Sequence, residues 1–351
     1  MQIFNNNKNV SLIYARALSL AMNSETILPN SNVKEISEKK SYNTKVMDAF
    51  FNKVTKKINE EFSNNSHLYH NALLIEDVTP AIMDILSVRA ASIKRIATLV
   101  NTLPWLGNDL IAFVNKPQYR KNSEIRVKTP NLALSYIGLD NLKLVMPTFF
   151  LKHWLPTNSA SFPLIKRNLW KNSLSTALAT QKLAKKYGLD EFTAFSAGLL
   201  SNLGLLAVSQ GFLNVYNELY ERELNIAYRR NNKKLHTALT TLDMSPQLLL
   251  EHITQHSSSI SADIVKLMGF KYLRVTETIT ELSSASHINE LSPLAKIVVQ
   301  AKAFIAFRNL AKEKLITTEE AKTLLSAAKL TNSDIALLKK SNIDHIKLNF
   351  S

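Results

Sequence analysis

The sequence predicts an all-α protein made of many helices. Only 7 glycines occur in 351 residues, which leaves few of the tight turns and bulges that sandwiches and barrels require. Apolar residues recur at helical spacing along most of the chain, and no segment carries the strict alternation of a strand. A proline directly after Ser or Thr is typical of a capped helix start. Such pairs include Thr79-Pro80, Ser245-Pro246 and Ser292-Pro293.

Two amphipathic helices are expected near the amino terminus, between polar segments. Apolar residues recur at helical spacing in both: Leu12, Ala15, Leu18 and Met22 in the first, and Val46, Phe50, Val54 and Ile58 in the second. The segments 1–8 and 23–42 are rich in Asn, Ser, Lys and Glu, a composition typical of loop or disorder. These two helices are expected to pack on the rest of the chain or to present a surface to a partner.

Helical patterns continue to the carboxyl terminus. Ser92 is a plausible cap, Pro104 opens a helix, and Gly138 ends one. Pro156 and Pro163 mark the best internal boundary, in a polar stretch over residues 155–163. Beyond that boundary, helices are expected at 164–187, 190–209, 211–229, 233–242, 246–256, 259–268, 274–286, 293–314, 317–329 and 332–340.

Composition narrows the class of protein. Cysteine is absent, which excludes disulfides, thiolate catalysis and cysteine-bound zinc and suits a reducing cytoplasm. No apolar run is expected to reach the roughly 20 residues of a membrane span. The first residues also lack the basic start of a secretory signal. A cytoplasmic protein with an apolar core is therefore predicted, since 46% of its residues are hydrophobic.

The net charge of +15 is concentrated in the middle of the chain. Residues 81–210 carry 16 basic and 6 acidic side chains. Such basic clusters attract phosphate backbones, acidic lipids or acidic protein surfaces, or they are simply solvated loops. Both interpretations stay open for the densest cluster, which is Lys116, Arg120, Lys121, Arg126 and Lys128. They also stay open for a second cluster, Arg229, Arg230, Lys233 and Lys234.

One run resembles the signature of the HD-type metal-dependent phosphohydrolases, Ala-Gly-Leu-Leu-His-Asp-Ile-Gly. Here residues 197–204 read Ala-Gly-Leu-Leu-Ser-Asn-Leu-Gly, with Ser201 at the histidine and Asn202 at the aspartate. The run Trp-Lys-Asn-Ser-Leu from Trp170 is similar to an upstream helix of that family, with Asn172 at its histidine. A later helix is similar to the one that carries an Ala-Asp ligand, with Lys302 at the aspartate.

The front half is similar to one branch of that superfamily, the HDOD domains. Segments 103–106, 113–116 and 132–142 match motifs of that branch, although Leu103 stands for its usual Asp and Lys116 for its usual Ser. The resemblance covers about residues 70 to 310. It implies an HDOD or HD-like domain with two packed helical subdomains. The implied division is 1–70 as a helical extension, 71–158 as the front subdomain, 159–315 as the HD-like subdomain and 316–351 as a helical tail.

The four substitutions argue against metal chemistry at this position. Hydrolysis by this class needs a divalent cation that activates water and neutralises phosphate charge. Asn172 and Asn202 offer only neutral amide oxygens, and Ser201 offers a hydroxyl. The ammonium of Lys302 would repel a cation and could itself occupy the vacated cation position. No metal, cofactor or catalytic residue is therefore expected, and these four side chains are predicted to line a degenerate site.

The resemblance implies a regulatory or scaffold protein of bacterial signal transduction that binds a protein partner. Whether the pocket takes a small ligand stays open. One alternative is an active phosphohydrolase with other ligands, for example His236, Asp243, His252 and His256, of which the last two share a helix face at i and i+4. Another alternative is a nucleic-acid-binding regulator that uses the basic segment from Lys116 to Lys128.

Overall fold

The structure is a computed structural model that describes residues 2–5, 7–22, 42–119, 126–156 and 162–348. Within those ranges every regular element is helical and no strand occurs, so the all-α prediction is confirmed. One continuous set of buried apolar side chains runs from the amino-terminal helices to the carboxyl-terminal tail. The predicted polar segment 23–42 falls almost entirely outside the described residues.

The helices of the extension and front subdomain precede residue 157. They are α1 Gln2–Asn5, α2 Lys8–Met22, α3 Tyr42–Phe62, α4 Asn65–His67, α5 Val78–Ser87, α6 Ile93–Val100, α7 Pro104–Val114, α8 Pro130–Ile137 and α9 Leu139–His153. A single π-helical turn, Leu68–Ala72, follows α4.

The helices of the HD-like subdomain and tail begin after residue 161. They are α10 Ile165–Tyr187, α11 Glu191–Leu200, α12 Leu203–Arg229, α13 Lys233–Thr240, α14 Pro246–Leu267, α15 Thr276–Ser284, α16 Pro293–Lys312, α17 Thr318–Ala327 and α18 Asn332–Lys340. A short 3-10 turn, Ile288–Glu290, precedes α16.

Most of the predicted helix starts agree with the structure. The side chains of Ser92, Ser245 and Ser292 accept hydrogen bonds from backbone N–H groups three residues on. Thr79 does not cap its helix, because α5 begins earlier, at Val78; the Thr79 hydroxyl instead donates to the Glu76 carbonyl. Gly138 ends α8 with a positive φ of 76°, which glycine adopts without steric cost.

Three predicted boundaries are wrong. Residues 2–5 form a short helix instead of a loop. The break expected near residue 210 lies instead at residues 201–202, and Gly211 is inside α12. A Cβ at Gly211 would lie 2.8 Å from the ring of Phe62, so this glycine admits a neighbouring helix and does not end its own. The break expected near residue 257 is absent, because α14 is continuous.

The HD-like subdomain is organised around α10, α11, α12, α14 and α16. Glycines allow two pairs of these helices to approach closely, α10 with α11 and α12 with α14. A Cβ at Gly198 would lie 2.8 Å from the Cα of Ala177 on α10, and one at Gly204 would lie 1.8 Å from the carbonyl oxygen of Ser257 on α14. These two glycines belong to the motif recognised in the sequence, so part of that motif is explained by packing alone.

The front subdomain packs on this core through α9, which contacts α10 and α11. Trp154, just after α9, is 1% exposed. Trp105 stacks on His153 with ring centroids 3.9 Å apart, and its indole N–H donates to Glu76 at 3.0 Å. Two of the three tryptophans therefore anchor packing within the front subdomain.

The longest apolar stretch is Glu191–Arg229, which spans α11 and α12. By length and hydropathy it would suffice to cross a membrane, contrary to the expectation from sequence. However, 94% of its most apolar window is buried among the other helices. This stretch is thus the central part of the protein core.

The amino-terminal helix α2 lies on the HD-like subdomain, where it contacts α10, α14, α16 and α17. Val10, Ile13 and Met22 are its most buried apolar side chains. Arg16 fixes its outer side by donating to the Leu315 carbonyl at 2.8 Å and by pairing with Glu320. The first of the two amino-terminal helices is therefore packed on the domain.

Candidate functional site

The sharp corner between α11 and α12 contains the run that resembles the HD-type signature. Ser201 ends α11, and Asn202 precedes α12 with φ −105° and ψ 2°. The hydroxyl of Ser261 on α14 accepts from the Gly204 N–H at 2.8 Å and lies 3.3 Å from the Ser201 carbonyl oxygen. Neighbouring helices therefore satisfy backbone groups that the corner leaves without helical partners.

Lys302 of α16 reaches this corner from the other side. Its ammonium Nζ lies 2.9 Å from the carbonyl oxygen of Ser201 and donates to it. The Ser201 hydroxyl donates to the Gly198 carbonyl at 2.8 Å, and the Asn202 amide makes a longer contact of 3.5 Å to the same oxygen. Lys302 is thus held by a neutral backbone oxygen.

Asn172 lies on α10 and is bonded within the same region. Its side-chain oxygen accepts from the amide of Asn309 on α16 at 2.7 Å. Asn172, Asn202 and Lys302 line one cavity of about 50 Å³. Ser201, Asn202 and Lys302 line another of about 40 Å³. The structure therefore brings together all four residues selected from the sequence.

These two cavities are small because α2 lies over them. Tyr14 and Leu18 of α2 line both cavities. Burial raises the pKa of Tyr14, which stays a neutral phenol. Spaces of this size accept about one to a few water molecules, far less than the roughly 300 Å³ or more of a typical ligand pocket.

The polar groups around the two cavities are amides, hydroxyls and one amine. No Asp, Glu or His is among the residues that line either cavity. Across the part of the chain that the structure describes, no three His, Asp or Glu side chains are grouped so that they could hold a metal ion. Neutral amide oxygens beside an ammonium do not fit a divalent cation.

Lys302 is the amine in this region, and its pKa is strongly altered. Burial lowers its pKa to about 7, because the ammonium loses hydration without gaining a carboxylate partner. At neutral pH the side chain is therefore divided between the charged and the neutral form. A neutral amine can accept a proton, but no cavity beside it is large enough to seat a substrate.

The histidine pair on α14 lies beside a different surface. His252 is 3% exposed, and neither of its ring nitrogens has a hydrogen-bond partner among the described residues. The ring of Phe62 on α3 covers both His252 and His256, with centroids 6.1 and 5.4 Å away. Burial lowers the pKa of His252, and the neighbouring His256 lowers it further. The pair is therefore neutral and packed.

The basic cluster expected to contact an anion or partner is described in part. Lys116, Arg126 and Lys128 are exposed, and the ammonium of Lys116 lies 5.6 Å from the ring centre of Phe113. Arg120 and Lys121 lie outside the described residues. In the second cluster, Lys234 lies 4.2 Å above the ring of Tyr42.

A larger opening, between the front subdomain and α10, was not predicted. It has a volume of about 1000 Å³ and combines Lys116 with three basic residues of α10: Lys166, Arg167 and Lys171. The sequence held one signal for it. Those three basic residues flank Trp170 within a single predicted helix.

Comparison with known protein families identifies one that matches this chain. The family model for the HDOD domain matches residues 73–249, half of the chain. No curated protein matches the chain.

Three solved structures are similar over most of their length. A "putative phosphohydrolase" from Shewanella amazonensis SB2B shares 17% identity at a TM-score of 0.48, over 82% of this chain and 92% of that one. A "putative metal-dependent phosphohydrolase" from the same organism shares 15% identity at a TM-score of 0.44, over 84% of this chain and 99% of that one. An HDOD domain protein of unknown function from Geobacter sulfurreducens shares 15% identity at a TM-score of 0.46, over 85% of this chain and 91% of that one.

Proposed function

Since the chain belongs to the HDOD family, we propose that it is a non-catalytic regulatory or scaffold protein of bacterial signal transduction that acts through protein–protein contacts. One observation carries the proposal. At the corner between α11 and α12, Lys302 donates to the Ser201 carbonyl at 2.9 Å, where an enzyme of this superfamily would bind its cation.

The chemistry of the lining supports the non-catalytic part of the proposal. Metal-dependent hydrolysis requires a first shell that holds the ion and an open position for water and phosphate. Asn172 already binds Asn309, and Ser201 already binds Gly198. The polar groups thus serve the fold, and the lysine adds a positive charge where a cation would have to sit.

The position of α2 supports the regulatory part. A helix that seals the former site leaves the outer surface as the place where a partner can act. The excess of basic side chains in residues 81–210 favours a partner with an acidic surface, because opposite charges speed and orient association.

A hydrolase assay tests the first half of this proposal. Purified protein is incubated with bis(p-nitrophenyl) phosphate and excess Mn²⁺ or Fe²⁺. We expect no turnover above that of the metal alone. The double variant His252→Ala with His256→Ala is the matched control: metal-dependent turnover that disappears in it would favour the alternative phosphohydrolase and contradict the proposal.

Affinity capture from the native organism tests the second half. The wild-type chain is compared with a triple reversal, Lys116→Glu, Arg126→Glu and Lys128→Glu, and with a control reversal of Arg229 and Arg230. We expect one protein to be retained in near-stoichiometric amount by the wild type and the control, and to be lost from the triple reversal. Absence of any specifically retained protein would contradict a scaffold role.

A further inference from the structure

The opening between the front subdomain and α10 has an apolar, buried floor. Val145 and Leu155 come from the front subdomain and its end, and Leu174 comes from α10; all three are buried. Ile346 and Leu348, after α18, close one side. A volume of about 1000 Å³ is at the upper end of the range for small-molecule sites.

The rim of the same opening is strongly cationic. Lys116, Lys152, Arg167 and Lys171 are exposed at it, and Lys166 is half-buried. The single carboxylate in the lining is Asp344. Its Oδ1 accepts from Arg308 at 3.0 Å, so that charge is already balanced from another direction.

The three rim cations on α10 form no salt bridge within the described part of the chain. Lys152 lies 3.7 Å from Asp109, whereas no carboxylate among the described residues forms a salt bridge with Lys166, Arg167 or Lys171. Arg167 and Lys171 are four residues apart on α10 and therefore share a face, where like charges repel. An anion bound between them would relieve that repulsion.

A neighbouring cavity extends the cationic rim. It has a volume of about 460 Å³ and is also lined by Arg167 and Lys171. Lys312 of α16 lies on its far side, 4.0 Å from Glu313. Arg167 and Lys171 therefore stand at the junction of two open spaces, which gives an anionic group access from solvent.

We propose that this opening binds an amphipathic anion: a hydrocarbon chain that lies on the apolar floor and ends in a carboxylate or phosphate held by Arg167 and Lys171. Arg provides a planar pair of donors that suits either oxyanion. Each methylene group of the chain that leaves water adds to affinity. This site is distinct from the degenerate corner, and the inference does not depend on the proposed loss of catalysis.

A nucleic acid fits the opening less well. Its bases would need free aromatic faces for stacking. Phe113 packs against Tyr119 and Phe149 with centroids 4.5 and 5.5 Å apart, which leaves Trp170 as the lining ring on which a base could stack. The aliphatic floor offers the polar base edges no hydrogen-bond partner. Charge would attract the backbone, while the interior of the opening would stay unused.

Isothermal titration of the full chain with decanoate and with decyl phosphate tests the proposal. Decanol supplies the same chain without charge, and inorganic phosphate supplies the charge without a chain. The test variant is Arg167→Glu with Lys171→Glu, both exposed and on one helix. The matched control is Arg229→Glu with Arg230→Glu, a second exposed basic pair at the end of α12.

We expect saturable binding of at least one anionic amphiphile by the wild type and the control. The test variant should raise its Kd by about tenfold or more, since two charge-assisted contacts are lost. Decanol and phosphate should bind more weakly than either amphiphile. The proposal is overturned if no amphiphile binds, if charge reversal leaves the Kd unchanged, or if decanol binds equally well. It is also overturned if oligothymidylate or polyglutamate binds at the same rim while the amphiphiles do not.

Discussion

Two regions of the molecule meet at α10 and differ in almost every physical respect. Asn172 lines a cavity of about 50 Å³ under α2, and it also borders the cavity of about 460 Å³ that Arg167 and Lys171 line. Its neighbour Lys171 belongs to the cationic opening of about 1000 Å³. The corner carries the run that resembles the HD-type signature and has only small cavities, whereas the opening has no counterpart in the motif and is large. Motif position and binding capacity are thus separated in this chain.

The difference has a packing origin. The corner is surrounded by α2, α11, α12, α14 and α16, and the close approach of α12 to α14 at Gly204 leaves only small cavities there. The opening lies where the front subdomain, α10 and the tail meet without filling the space between them. Substitutions at the corner should therefore lower the free energy of unfolding substantially, whereas substitutions at the rim should leave it nearly unchanged.

The largest effect is expected from Gly204→Ala. Its Cβ would lie 1.8 Å from a backbone oxygen of α14, so the two helices would have to separate. We predict a loss of about 3 kcal/mol or more in the free energy of unfolding. Urea unfolding followed by circular dichroism measures it. A loss below about 0.5 kcal/mol would show that the corner is loosely packed.

The next effect concerns the seating of α2. Ile13→Ala removes a side chain that is 2% exposed and should cost about 2–3 kcal/mol. Leu12→Ala, its neighbour on the same helix and 57% exposed, should cost less than about 0.5 kcal/mol. Thermal and urea unfolding compare the pair. Equal losses would mean that α2 is not docked as described.

Lys302 should give the corner a characteristic pH dependence. Its pKa is about 7 when folded and near 10.4 when unfolded, so above pH 7 the unfolded state binds more protons and the folded state is favoured. Relative to Lys302→Met, the wild type should gain about 1–2 kcal/mol between pH 7 and 9. Paired urea titrations at both pH values provide the measurement. If the difference in free energy of unfolding between the two proteins does not change from pH 7 to 9, the ammonium of Lys302 is solvated and not buried.

The smallest effect is expected at the cationic rim. Arg167→Glu with Lys171→Glu should change the free energy of unfolding by no more than about 0.5 kcal/mol, because both side chains are exposed and form no salt bridge with any described residue. Unfolding in low and high salt should give the same result. A loss of several kcal/mol would mean that these cations are structural, and it would remove the contrast with the corner.

Much of the fold is readable in the sequence because it rests on local signals. Ser92, Ser245 and Ser292 cap helices as their neighbours predict, and Gly138 ends one. The break expected near residue 210 is absent, and Gly211 inside α12 admits the ring of Phe62, which is far away in sequence. A distinction between a terminating glycine and a packing glycine requires knowledge of the neighbouring helix.

The proximity of the four selected residues was also predictable. The motif selected Asn172, Ser201, Asn202 and Lys302, and the structure brings them together. The cover formed by Tyr14 and Leu18 was not predictable, because no local pattern links α2 to α16. The cationic opening was not predicted for the same reason. Its floor and rim come from three separate parts of the chain, and only the run on α10 is contiguous.

The central claim is that the corner between α11 and α12 holds no divalent cation. The most direct measurement is the metal content of protein purified from cells grown with added iron and manganese, combined with melting curves in excess Mn²⁺. The account predicts far less than one ion per chain and an unchanged Tm, since a ligand that does not bind the folded state cannot stabilise it. One or two ions per chain with a raised Tm, both lost on substitution of Asn172 and Asn202, would contradict it.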